Sequence, residues 1–242
     1  MTISNDSRTR IKQAFEPIAL GMGRLGLKPD ALTLIGFAIT VAGAVVLTAQ
    51  LWLLGGIVVF VGGAFDTFDG TLARATGKVS ALGAFMDSVF DRWGEALVYL
   101  GIVCGAVLGA ADLLAILATA ALGAAFMVSY TRAKSEGLGF TAGTGMAAVG
   151  VMPREIRLVT LSLGLILAGI EGTANPLLVL QTIRLPGGVD IALPWAGERW
   201  LALALAIITV GATITVIQRI LHVRSQARHQ ANKTHQEQGE QA

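Results

Sequence analysis

Asp66, Asp69, Asp87 and Asp91 form two pairs, three and four residues apart, in the stretch DTFDGTLARATGKVSALGAFMDSVFD. On a helix either spacing puts both side chains on one face. Four converging carboxylates cannot all stay ionised without compensation, and the one arginine among them, Arg74, is not enough. Divalent cations are the natural counter-charge, and hard oxygen ligands suit Mg²⁺ or Mn²⁺. Zinc is disfavoured, because no histidine lies nearby and Cys104 sits inside an apolar run. Two ions about 3.5–4 Å apart could share bridging carboxylates and clamp a phosphoryl group. Gly70 lets a phosphate approach the backbone, and Arg74 offers it a bidentate partner. A carboxylate not consumed by the metals could act as a general base. Acids that merely cap helices would explain one or two of the four, not two spaced pairs around Gly and Arg.

The elements that must position these acids are apolar. Of the 242 residues, 54% are hydrophobic and 14% charged, against about 25% charged in a soluble domain. Mean hydropathy is +0.67. Thirty glycines with few aromatics suit close-packed membrane helices. The expected class is therefore all-α: a polytopic membrane protein of six transmembrane helices preceded by an interfacial amphipathic helix. Residues 1–25 form the N-terminal arm and that helix, in which Ile11, Phe15, Ile18 and Met22 make one apolar stripe interrupted by Pro17. Residues 26–222 hold the membrane domain, and 223–242 read as a disordered cytoplasmic tail. The spans fall at about 31–49, 52–74, 83–108, 111–131, 154–172 and 199–221, with a Pro- and Gly-containing loop at 173–197. Lys and Arg gather in the N-terminal arm, around 74–92, at 132–157 and from Arg219 onward, which places both termini and the acids on the cytoplasmic side of the cell membrane.

The acid stretch reads D-x2-D-G-x2-A-R-x8-G-x3-D-x3-D, filled by Asp66, Asp69, Gly70, Ala73, Arg74, Gly83, Asp87 and Asp91. It resembles the CDP-alcohol phosphatidyltransferase family at every motif position. The resemblance implies an integral membrane enzyme, expected to be a homodimer, that moves a phosphatidyl group from CDP-diacylglycerol to an alcohol and releases CMP. It implies that Asp66, Asp69, Asp87 and Asp91 ligate two Mg²⁺ or Mn²⁺ ions per active site, with Asp91 also the proton acceptor. Gly70, Arg74 and Ser80 would contact the CDP-lipid, as would the turn Pro29, Asp30, Ala31, Leu32 and Thr33.

The motif does not choose the acceptor. Tyr130, Arg132, Lys134, Arg154, Arg157 and Arg219 all fall near cytoplasmic span ends, which suggests a phosphorylated polyol held by Lys134, Arg157 and Arg219. The segments at 129–139, 154–158 and 217–224 look similar to phosphatidylinositol phosphate synthases, and that subgroup implies inositol 1-phosphate. Glycerol 3-phosphate is the alternative, and uncharged acceptors come third. Nothing in the charge pattern calls for nucleic acid. An ion-coupled transporter is disfavoured, because the acids cluster at one end and no midplane helix break pairs with them.

Overall fold

The computed structural model describes Gly21, Gly23 and residues 28–140, 149–174, 181–184, 190–193 and 198–240. The side chains of Asp66, Thr67, Thr173, Ala174, 181–184, 190–193, Ala231 and 233–240 lie outside that description, as does most of the expected interfacial helix. Among the described residues six long helices follow one another: α1 Pro29–Thr48, α2 Trp52–Ala75, α3 Ala81–Leu108, α4 Asp112–Gly137, α5 Arg154–Ala174 and α6 Glu198–Glu240. Proline opens α1, where its missing N–H costs no hydrogen bond. Ser80 caps α3 by accepting from the Gly83 amide at 3.0 Å.

The helices close into a ring. α1 packs on α2 and α3, α2 on α5, α5 on α6, α6 on α4, and α4 on α3. Tyr99, Ile102, Leu114, Leu165 and Leu205 are fully buried in its core. The outward faces carry Val45, Leu54, Phe60, Leu100, Ile116, Leu163 and Val210, all exposed. Apolar side chains on the outside of a packed bundle suit a hydrocarbon surround. Among the described residues four helices, not the expected six, are long and apolar enough to cross a membrane: α1, α2, α4 and the Glu198–Gln230 part of α6. α3 carries Asp87, Asp91, Arg92 and Glu95 in its first half, which lowers its apolar character. The α1–α3 seam is tight. A Cβ at Gly101 would overlap the Ala44 carbonyl, and one at Gly105 would lie 2.8 Å from the Trp52 ring.

Two readings change. The segment 173–197 is not all loop, since strands β1 Gln181–Arg184 and β2 Asp190–Leu193 pair antiparallel, with Gln181 opposite Leu193. This hairpin is an addition to an otherwise all-α fold. The tail from 223 continues α6 as helix to Glu240. Between His222 and Gln238 there is no Pro or Gly, and the Ala, Gln, Arg and Glu there are good helix formers. Low apolar content pointed to disorder, but an established helix has already met the cost of nucleation.

Candidate active site

The start of α1, the end of α2 and the start of α3 meet at one end of the ring. Leu32 is fully buried against Phe68 and Leu72, so this member of the 29–33 turn packs α1 on α2. That packing holds Thr33 beside Asp69, and the Thr33 hydroxyl donates to Asp69 Oδ2. Asp69 is only 5% exposed. Asp30 reaches the next element: a Cβ at Gly83 would lie 3.6 Å from Asp30 Oδ1 and 3.0 Å from Ser80 Oγ. Asp30, Ser80 and Gly83, up to 53 residues apart in sequence, are thus neighbours. The Arg74 guanidinium lies over Gly70, 3.4 Å from where a Cβ would stand, and donates to Thr71 Oγ1 at 3.4 Å. Gly70 and Arg74 are thus neighbours on one face of α2.

Asp91 stands where two hollows meet. A cavity of about 610 Å³, counting its open mouth, runs between α1, α2, α3 and α5. Thr33, Asp91, Glu95, Tyr99, Arg154 and Arg157 lie on its wall. A wider cleft of about 1630 Å³ between α3 and α4 takes in Asp87, Asp91, Arg92 and Arg132. Asp91 Oδ1 lies 2.9 Å from Arg154 Nη2, and Arg92 Nη1 donates to its Oδ2 at 3.2 Å. One turn along α3, Glu95 receives Arg157 Nε and Nη2 at 2.8 Å each. One further turn on, the Tyr99 hydroxyl is buried with no hydrogen-bond partner among the described residues.

The three basic residues expected at an acceptor phosphate are not equivalent. Lys134 is exposed. Arg157 is 1% exposed and tied to Glu95, with Nη1 donating to the Met152 carbonyl at 3.2 Å. Arg219 is buried and donates from Nε to the Val149 carbonyl at 3.0 Å and from Nη1 to the Val128 carbonyl. Only Arg157 of the three lines the cavity beside Asp91. Arg154 does so as well, yet its sequence position alone did not set it above its neighbours. Glu95 and Tyr99 were also missed as site residues. The signal for them was the i, i+4, i+8, i+12 run of Asp87, Asp91, Glu95 and Tyr99 on one helix face.

Among the described residues no three His, Cys, Asp or Glu side chains form a metal-holding group, and the side chain of Asp66 lies outside them. The donor chemistry nonetheless fits a hard cation. Asp69, Asp87 and Asp91 supply only carboxylate oxygens.

A family model described as CDP-alcohol phosphatidyltransferase matches residues 27–185. The chain is 31% identical to a phosphatidylinositol phosphate synthase of Streptomyces avermitilis over 223 residues, covering 91% of this chain and 82% of that one. It is 37% identical to an archaetidylinositol phosphate synthase of Pyrococcus horikoshii over 153 residues, covering 63% and 76%. Among solved structures it is similar to the Mycobacterium tuberculosis phosphatidylinositol phosphate synthase with CDP-DAG bound, at TM-score 0.67 and 28% identity, covering 87% of this chain and 94% of that one. The same enzyme in complex with manganese and citrate gives TM-score 0.66 and 27% identity, covering 86% and 88%.

Proposed function

We infer the reaction from one premise: the chain belongs to the CDP-alcohol phosphatidyltransferase family and is a phosphatidyltransferase. It transfers the phosphatidyl group of CDP-diacylglycerol to inositol 1-phosphate and releases CMP. The acceptor hydroxyl attacks the lipid-side phosphorus, the bond to the CMP oxygen breaks, and the proton passes to Asp91. The observation that carries this reading is the shared wall of one cavity. Asp91, able to take a proton, stands beside Arg154 and Arg157, able to hold a phosphate. Thr33 and the unpartnered Tyr99 hydroxyl on the same wall suit the hydroxyls of a polyol.

Asp66, Asp69, Asp87 and Asp91 are the proposed ligands for two Mg²⁺ or Mn²⁺ ions, and the manganese complex of the related enzyme supports such ions here. When bound, they offset charge on the diphosphate. Pro29, Asp30, Ala31, Thr33, Gly70, Arg74 and Ser80 hold the CDP-lipid, with Leu32 packed beneath them, a role consistent with the close approach of Asp30, Ser80 and Gly83. Lys134, Arg157 and Arg219 take the acceptor phosphate, joined by Arg154. Arg157 and Arg219 each retain N–H groups beyond those bonded internally. We place all six helices across the membrane as a homodimer, with the acid-bearing end and both termini in the cytoplasm.

The test is an acceptor panel with purified protein, CDP-diacylglycerol and Mg²⁺ or Mn²⁺. CMP release with inositol 1-phosphate, and not with glycerol 3-phosphate, serine or free inositol, is the expected result. Release with glycerol 3-phosphate alone would reassign the acceptor. Release with none of the four would sink the reading.

A further inference from the structure

α3 and α5 share none of the packed seams of the ring, yet two carboxylate–arginine pairs join them across its interior. The pairs sit one turn apart on α3, at Asp91 and Glu95, and three residues apart on α5, at Arg154 and Arg157. They differ in kind. Arg154 is about a third exposed, and both members of its pair line the cavity. Arg157 is 1% exposed, and Glu95 grips it through Nε and Nη2 together. Two parallel hydrogen bonds to one carboxylate fix the plane of a guanidinium. The Met152 carbonyl, accepting from Nη1, fixes it a second time from the turn that precedes α5. Of the five N–H groups of Arg157, three are engaged, and the two that remain lie on nitrogens whose direction Glu95 sets.

We propose that Glu95 is a positioning residue for the acceptor: it acts through Arg157, aiming the free N–H groups of a buried guanidinium at the acceptor's phosphate. The proposal rests on the acceptor-phosphate role given above to Arg157. Burial explains why such a device is needed. An unpaired guanidinium in the ring interior is costly, and the next carboxylate along α3 is Asp91. Glu95 keeps Arg157 neutralised without drawing it to the group that must take the proton. Hydrogen bonding to the phosphate then adds to an arginine already in place, so less side-chain ordering is lost on binding.

The experiment measures the dissociation constant for inositol 1-phosphate by calorimetry, on full-length protein in nanodiscs with Mn²⁺, alongside the KM for CDP-diacylglycerol. Glu95→Gln keeps the shape and removes the charge. It is expected to weaken acceptor binding roughly tenfold, the scale of a lost charge-assisted hydrogen bond, and to leave the donor KM within about twofold. Arg157→Gln should weaken binding at least as much. The double variant should match Arg157→Gln alone, because Glu95 has no route other than Arg157. Glu95→Asp, which keeps the charge, should lie between wild type and Glu95→Gln, and it stands in if the Gln variant does not fold. Unchanged acceptor binding in both Glu95 variants would overturn the proposal. So would multiplying effects in the double variant, an equal rise in the donor KM, or a wild-type protein that binds no phosphorylated polyol. Acceptor binding without CMP release from the wild type would instead count against the proposed reaction and leave the Glu95 comparison standing.

Discussion

Asp91 Oδ1 and Arg154 Nη2 meet at 2.9 Å between two helices that share none of the ring's main seams. With Arg92 on Oδ2, both oxygens of the proposed base carry a guanidinium. Such a carboxylate is held in place before its substrate arrives. Asp91 also belongs to both hollows, so it can be reached from the α1–α2–α3–α5 side and from the α3–α4 cleft.

Asp91→Asn keeps the side chain's size and removes its basicity. CMP release should fall by about 10²–10⁴-fold, the usual contribution of a positioned general base. The thermal midpoint should move little, since Arg92 and Arg154 are both partly exposed and can turn to water. Steady-state CMP assays on purified variant and wild type make the measurement. Turnover within a few-fold of wild type would remove Asp91 from the role.

Arg154→Gln separates the arginine's two roles. If it meets the acceptor's phosphate, the KM for the phosphorylated acceptor should rise roughly tenfold. The KM for CDP-diacylglycerol should stay near its wild-type value, because the donor-side residues from Asp30 to Ser80 lie on other helices. Equal changes in both constants would mean that Arg154 only steadies Asp91.

Chelation bears on the acids as a set. Exhaustive EDTA treatment should abolish CMP release, and Mg²⁺ or Mn²⁺ should restore it. Zn²⁺ should restore little, because the ligands are carboxylates without Cys or His. Full activity after chelation would leave the four aspartates without their proposed purpose.

The acid motif was legible because its geometry is local. Spacings of three and four on a helix, and a glycine beneath Arg74, need no knowledge of the tertiary fold. The helices over the apolar runs were legible for the same reason, and their ends match within a few residues except where α4 runs on to Gly137 and α6 to Glu240. The Glu95–Arg157 pair was not legible, since its members lie 62 residues apart and meet only once the ring order places α5 beside α2. The surroundings of Arg219 were not legible either. A basic residue at a span end fits a phosphate, but its position on α6 also puts it against two backbone carbonyls that no pattern in its own segment discloses.

Gly101 tests the seam that carries α3, and with it Asp87, Asp91 and Glu95. Any Cβ there runs into the carbonyl of Ala44, which is backbone and cannot swing aside as a side chain could. Gly101→Val should therefore cost about 1–3 kcal/mol of stability, as overpacking of a close-fitted interior does, and should lower CMP release by shifting α3 against α1. Gly123 is the control, on α4 with nothing within 4 Å of a Cβ. Gly123→Ala should be neutral or stabilising by about 0.5–1 kcal/mol, because it only restrains the unfolded chain and favours helix. Thermal unfolding in the same nanodiscs compares the two. Equal midpoints for the Val and Ala variants would mean that α1 and α3 approach less closely than the ring requires.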